Sequence, residues 1–137
     1  MGNNDMINFI TEIVRHILTL YFGVFVTTAI IGIINNKKNI LILNAFCIFD
    51  LILHMILMTL KGSGHVVHLY PLATHLPLFM ILVCVFHKSA LKSLLAVTTA
   101  YLCCQLCNWL SIIPESLGCD AWIVNLTYIT GIFLTYF

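Results

Sequence analysis

The sequence predicts an all-α membrane protein that crosses the bilayer several times, because its composition is apolar and its apolar runs have the length of a bilayer span. Of its 137 residues, 61% are hydrophobic and only 8% are charged, and the mean hydropathy is +1.06. Soluble domains carry about 25% charged residues, so this composition excludes an ordinary soluble domain. The net charge of +1 gives no indication of nucleic-acid binding. We therefore expect a lipid bilayer to surround most of the chain.

Apolar segments separated by short polar turns predict a bundle of about five transmembrane helices. Each segment is close to the length of about 20 residues that an α-helix needs to cross a hydrocarbon core. The run FMILVCVF, residues 79–86, lacks the alternation of a membrane β-strand, which favours helices. The predicted spans are residues 17–34, 40–60, 71–87, 93–113 and 121–137.

The chain is predicted to form an interfacial segment, residues 1–16, that continues into the first helix, followed by a single transmembrane helical domain, residues 17–137. In the first segment, Glu12 and Arg15 have a spacing that allows them to pair on a helix. The last span ends at Phe137 without polar or basic anchoring residues. We therefore expect the chain to be the N-terminal part of a longer protein that continues in the cytoplasm.

Basic residues in two turns predict the orientation. Lys37 and Lys38 follow the first span, and Lys88 and Lys92 follow the third, so all four lie on the same side of the bilayer. Cytoplasmic loops are enriched in lysine and arginine. We therefore expect the N-terminus outside the cell and the C-terminus inside.

Polar residues in the middle of the second span form one stripe of a helix. Asp50 lies near the middle of the span, with Cys47 one turn before it and His54 one turn after it. A charged carboxylate at the bilayer centre costs roughly 2.5 to 3.5 kcal/mol, so Asp50 should face the interior of the bundle. Three roles stay open for this stripe: a hydrogen bond between helices, signal binding, and proton or ion transfer.

The third span begins with HLYPLATHLP, residues 68–77, where Pro77 predicts a bend. His75 lies beside this bend, and irregular backbone in a bilayer needs a cover of protein or water. Counted at 1.5 Å per residue, several polar side chains lie about 6 to 12 Å below the outer surface. We therefore predict an outward-opening pocket, with a purely structural kink as the alternative. The candidate pocket residues are Asp50, His54, His75, Gln105 and Asn108.

The fourth span contains a C-x-x-C motif formed by Cys104 and Cys107. The motif is compatible with thiol redox chemistry, but small cysteine side chains also serve helix packing. His65 and His68 lie in a glycine-rich loop without a neighbouring cysteine or carboxylate, which disfavours a metal site. The sequence contains no recognised catalytic motif, and it predicts neither a cofactor nor a metal.

Three stretches carry a resemblance: YPLATHLPL at 70–78, the basic turn FHKSALKSLLAV at 86–97, and TAYLCCQ at 99–105. Together they resemble the N-terminal membrane region of Firmicutes sensor histidine kinases with a GHKL-type ATPase domain, which are relatives of the agr-type receptor kinases. The likeness covers about residues 68–110. That family is expected to carry an arginine after the third stretch, where this sequence has LCNW at 106–109.

The resemblance implies the sensor half of a two-component signalling protein in the bacterial plasma membrane. Its expected partners are the lipid bilayer, a peptide or small-molecule signal, and a second copy of the chain in a homodimer. No ATP-binding motif occurs in these residues, so the kinase would lie in a separate, cytoplasmic part. Two other functions stay open: a thiol oxidoreductase that uses Cys104 and Cys107, and a subunit of a transporter or channel.

Overall fold

The structure, a computed structural model, describes residues 3–34, 36–61 and 71–136, and all of the regular elements in these ranges are helical. Helix α1 is long and unbroken, so most of the predicted interfacial segment belongs to the same helix as the first span. The elements are α1 (Asn3–Ile31), α2 (Lys37–Lys61), a π-helical segment (Pro71–His75) that leads directly into α3 (Leu76–Cys84), α4 (Ala90–Ser116) and α5 (Ala121–Tyr136).

Short-range hydrogen bonds mark the beginnings of two helices. At the start of α2, the side-chain oxygen of Asn36 accepts a hydrogen bond of 2.8 Å from the backbone N–H of Asn39. At the start of α4, the hydroxyl of Ser89 accepts a longer bond of 3.4 Å from the N–H of Lys92. Both residues thereby satisfy a backbone donor that has no partner within the helix, which is the usual role of an N-cap.

Two helices end in the same glycine motif. After α1, Gly32 has a φ of 67°, and its N–H donates to the Ala29 carbonyl while the N–H of Ile33 donates to Thr28. After α4, Gly118 has a φ of 72° and the same pair of bonds recurs. This is the Schellman motif, in which a left-handed residue lets the chain satisfy the last carbonyls of a helix.

The third predicted span, residues 71–87, ends earlier in the structure than predicted. Helix α3 ends at Cys84, three residues before the predicted boundary at His87. The N–H of Phe86 already bonds to the carbonyl of Ile81, and His87 adopts a φ of 51°. Because a left-handed residue cannot continue a right-handed helix, the chain turns here toward α4.

The backbone contacts divide the chain into two compact units. The first, called the terminal unit, contains residues 1–23 and 99–137, and the second, called the central unit, contains residues 24–98. Each unit buries polar side chains together with apolar ones. The buried polar residues of the terminal unit are Ser111 and Asn125, and those of the central unit are Thr27, Asp50, His54, Thr74 and Ser93.

Many large apolar side chains face outward, as expected for helices in lipid. On α2, Phe49 is 59% exposed and Ile52 is 54% exposed, whereas Asp50 between them is only 4% exposed. Within the described ranges, three helices are long and apolar enough to cross a membrane, and two apolar helices are shorter. The chain therefore has the character of a helical membrane protein. The candidate spans are Met6–Ile31, Lys37–Leu57 and Ala90–Ser116, and the shorter helices are Ala73–Cys84 and Ala121–Thr135.

Candidate functional site

The central unit contains a buried polar pair, called here the Asp50 pair, that joins α2 to the π-helical segment. The hydroxyl of Thr74 donates a hydrogen bond of 3.2 Å to a carboxylate oxygen of Asp50. Both side chains are almost fully buried, with exposures of 5% and 4%. A buried acid needs such donors, because an unmatched polar group in an apolar setting costs several kcal/mol, about 2 to 7.

The predicted stripe on α2 is buried along its length. Cys47, Asp50 and His54 have exposures of 1%, 4% and 6%, whereas the neighbouring Ile48 and Met55 are exposed. The helix therefore turns its polar face inward and its apolar face outward, as the cost of a charge in lipid requires. The hydrogen bond to Thr74 supports a helix-to-helix contact, which was one of the three roles left open by the sequence.

The backbone around Pro77 is irregular in a specific way. Residues Pro71–His75 follow π-helical hydrogen bonding, and α-helical bonding begins at Leu76. Pro77 thus lies at the start of the α-helical bonding, directly after the π-helical residues. A short π-helical turn is rare and is frequent at functional sites. The bend predicted at Pro77 stays a prediction, but the change from π- to α-helix locates the irregular backbone at the predicted place.

The terminal unit contains a second polar centre, called here the Arg15 centre. One terminal nitrogen of the Arg15 guanidinium, Nη1, donates a hydrogen bond of 3.0 Å to the amide oxygen of Asn125, and the other, Nη2, donates one of 3.1 Å to Asn108. The guanidinium carbon lies 4.2 Å from the centre of the Tyr128 ring. One cation therefore ties α1 to both α4 and α5.

Further contacts hold the acceptors of the Arg15 centre in place. The amide nitrogen of Asn125 donates to the hydroxyl of Thr11 at 3.3 Å, so Asn125 bonds to α1 at two points. Asn125 and Tyr128 have exposures of 7% and 4%, and Arg15 is half-buried. Oriented amides and a covering aromatic ring fix the guanidinium plane, since both interactions depend on its direction.

The sequence prediction missed most of the Arg15 centre. It named Asn108 as a pocket residue, but it assigned no contact between Asn108 and Arg15, and it paired Arg15 with Glu12. Glu12 is exposed, and among the described residues the guanidinium donates hydrogen bonds to Asn108 and Asn125 and lies over the Tyr128 ring. One signal was available: Arg15 is the only arginine in the chain, and it lies inside an apolar helix.

The predicted pocket residues belong to different units. Asp50, His54 and His75 lie in the central unit, whereas Gln105 and Asn108 lie in the terminal unit. Their convergence on one pocket stays a prediction. His65 and His68, for which the sequence disfavours a metal site, lie outside the described residues.

The cysteines of α4 are free thiols in a packed environment. Cys107 is fully buried, and its sulfur lies 3.5 Å from the carbonyl oxygen of Cys103 and 3.8 Å from the hydroxyl of Thr135. Thiol exchange requires access to the sulfur, so this burial favours a role in packing. Gly131 of α5 also indicates that α5 packs closely against Cys107, because a Cβ atom added at Gly131 would lie 3.4 Å from the backbone of Cys107.

A metal site finds no support in the described ranges, where no group of three or more His, Cys, Asp or Glu side chains could hold a metal ion. The arrangement thus offers two hydrogen-bonded polar centres of opposite charge character, one around a carboxyl group and one around a guanidinium.

No protein-family model, no curated protein and no solved structure matches this chain.

Proposed function

We propose that this chain is the membrane-embedded sensor module of a bacterial two-component histidine kinase, located in the plasma membrane. In this proposal it detects an external or membrane-borne signal and passes it to a kinase domain in the cytoplasm. The hydrogen bond from Thr74 to Asp50 carries the proposal, because it joins a buried acid of a candidate membrane helix to segment 70–78, one of the three stretches that carry the family resemblance.

The π-helical segment supplies the element that a signal could switch. Short π-helical turns are frequent at functional sites, and two conformations that differ by a few kcal/mol shift in population when a ligand binds one of them better. Thr74 and His75 both lie in this segment. A signal group that competes for the hydroxyl of Thr74 changes the hydrogen bonding of Asp50 and with it the preferred packing of α3. We expect α5 to carry the change toward the cytoplasm.

The proposed topology has five crossings, with the N-terminus outside and the C-terminus inside. The positions of Lys37, Lys38, Lys88 and Lys92 support it, since five crossings place all four on the cytoplasmic side. The two shorter helices are about 18 and 22 Å long at 1.5 Å per residue, a mismatch with the hydrocarbon core that local thinning of the bilayer can accommodate. If only the three long helices crossed the bilayer, Lys88 and Lys92 would lie outside.

Two native cysteines distinguish these topologies. Cys84 lies at the end of α3 and Cys119 in the turn between α4 and α5. We expect a membrane-impermeant maleimide, applied to intact cells that express variants with a single cysteine, to label Cys119 and not Cys84. A three-crossing topology predicts the reverse result, which would refute the proposed arrangement. A Lys38→Cys variant without other cysteines is the matched control, since both topologies place it inside.

The kinase connection has its own test. The coding DNA downstream of the Phe137 codon is expected to continue into basic residues, a helical hairpin with a phosphoacceptor histidine, and an ATP-binding domain. A stop codon directly after Phe137 would remove the kinase proposal. The cysteine labelling would then still test the membrane topology, which does not depend on the kinase.

A further inference from the structure

We propose that the Arg15 centre binds an oxyanion, a carboxylate or a phosphate group, at the guanidinium of Arg15. The proposal rests on the contacts within the terminal unit and does not depend on the kinase connection. Among the described residues, Arg15 donates only to the neutral amide oxygens of Asn108 and Asn125. Its positive charge therefore has no carboxylate partner in this part of the chain.

The guanidinium retains hydrogen-bonding capacity for a ligand. It carries five N–H groups, and the two bonds to Asn108 and Asn125 use two of them. The Tyr128 ring covers a face of the guanidinium and takes no N–H. Among the described residues the other three donors make no hydrogen bond, and planar N–H groups on one cation match the oxygens of a carboxylate or phosphate.

The position of Arg15 makes an uncompensated charge costly. It lies within the candidate span Met6–Ile31, about 14 Å along the helix from Met6 at 1.5 Å per residue. A cation in the middle of a span costs roughly 2.5 to 3.5 kcal/mol, and intramembrane charges are normally paired. The described carboxylates of the terminal unit, Glu12, Glu115 and Asp120, are all exposed, and no bond from Arg15 reaches them.

A purely structural role would not need the charge of Arg15. Neutral donors such as the glutamine amide can also bond to Asn108 and Asn125, without the cost of an unpaired cation in lipid. The two asparagines act instead as positioning residues, because they hold the guanidinium at a fixed orientation while the remaining donors stay available. Preorganised donors of this kind are the usual basis of anion recognition.

The only arginine of the chain allows a direct chemical test. Phenylglyoxal modifies arginine, so the mass of the peptide containing Arg15 reports this site alone. The full chain in dodecyl maltoside micelles, which lack phosphate and charge, is treated with the reagent in the presence of sodium phosphate, sodium acetate or sodium chloride at equal ionic strength. At ten times the dissociation constant, the bound anion is expected to slow modification about 10-fold, whereas chloride leaves the rate unchanged.

A second arm identifies the source of the oxyanion. The rate is compared in nanodiscs of phosphatidylcholine and in nanodiscs of an uncharged galactolipid. Protection by phosphatidylcholine but not by soluble phosphate or acetate indicates a lipid headgroup, and protection by the soluble anions indicates a ligand from water. Both results support an oxyanion site. Equal rates under every condition overturn the proposal.

Spectroscopy and matched variants make the outcome independent of the reagent. With ¹⁵N-labelled arginine, the single Nε–H resonance of Arg15 is expected to shift on addition of phosphate or acetate. Asn108→Ala and Asn125→Ala are expected to raise the concentration of anion needed for half protection several-fold, while Asn44→Ala in the central unit leaves it unchanged. An unshifted Nε–H resonance in the wild-type chain contradicts the proposal even where a variant fails to fold.

Discussion

The Asp50 pair yields a prediction whose sign depends on the second partner. Thr74→Val keeps the shape of the side chain and removes only the hydroxyl that donates 3.2 Å to Asp50. In the wild-type background this change leaves a buried carboxyl group without that donor. Hydrogen bonds between transmembrane helices average about 0.6 kcal/mol and reach about 1.7 kcal/mol. Because Asp50 is only 4% exposed, we expect a loss of about 1 to 1.5 kcal/mol in the free energy of unfolding.

The same substitution should behave differently when Asp50 is already replaced. In an Asp50→Leu background the buried hydroxyl of Thr74 has lost its carboxyl acceptor, so Thr74→Val is expected to leave the free energy of unfolding unchanged or to raise it. Asp50→Leu alone is expected to be neutral or stabilising, because it removes the desolvation cost of a buried acid.

The assay is a double-mutant cycle on the full chain. Reversible unfolding from dodecyl maltoside into SDS, followed by circular dichroism, gives the four free energies of unfolding. We expect a coupling energy of about 1 kcal/mol between the two positions. If Thr74→Val cost the same in both backgrounds, the hydrogen bond would make no contribution and the reasoning behind the proposed switch would be wrong. Thr98→Val is the matched control, since its exposed hydroxyl bonds only to backbone carbonyls of its own helix.

Three further predictions use the same unfolding assay. The hydroxyl of Ser93 is buried and has no hydrogen-bond partner among the described residues. Ser93→Ala is therefore expected to stabilise the chain by about 1 kcal/mol. A clear loss of stability would show that the hydroxyl has a partner. Gly118→Ala is expected to destabilise the chain by about 1 kcal/mol, because an alanine is strained at a φ of 72° even though no atom lies within 4 Å of the added carbon. An unchanged midpoint of unfolding would contradict the left-handed cap. Gly131→Ala should be tolerated, because its Cβ would lie in ordinary contact with Cys107 and Leu110, at 3.4 Å. Gly131→Leu should lower the free energy of unfolding by about 1 to 3 kcal/mol, because the larger side chain overpacks this contact. Equal effects of the two substitutions would refute the close packing of α4 and α5.

Local properties of the sequence determined that the chain is helical and apolar enough for a membrane. Hydropathy adds up residue by residue along a span, so Lys37–Leu57 and Ala90–Ser116 could be located without any knowledge of packing. The burial of Asp50 was also predictable, because the cost of a charge in lipid does not depend on which partner it finds. The orientation of the helices and the number of crossings stay predictions.

Which polar residues meet was decided only by the tertiary structure. Arg15 bonds to Asn108 and Asn125, which lie 93 and 110 positions later in the chain, and Thr74 bonds to Asp50 across 24 positions. In a soluble helix, the alternation of polar and apolar residues indicates which face is buried. In a bilayer both the lipid-facing and the packed faces are apolar, so that signal is weak, and the rotation of each helix is set by contacts with its neighbours. The sequence could therefore name polar residues within the membrane segments, but only the packing of the helices decided which of them share a centre.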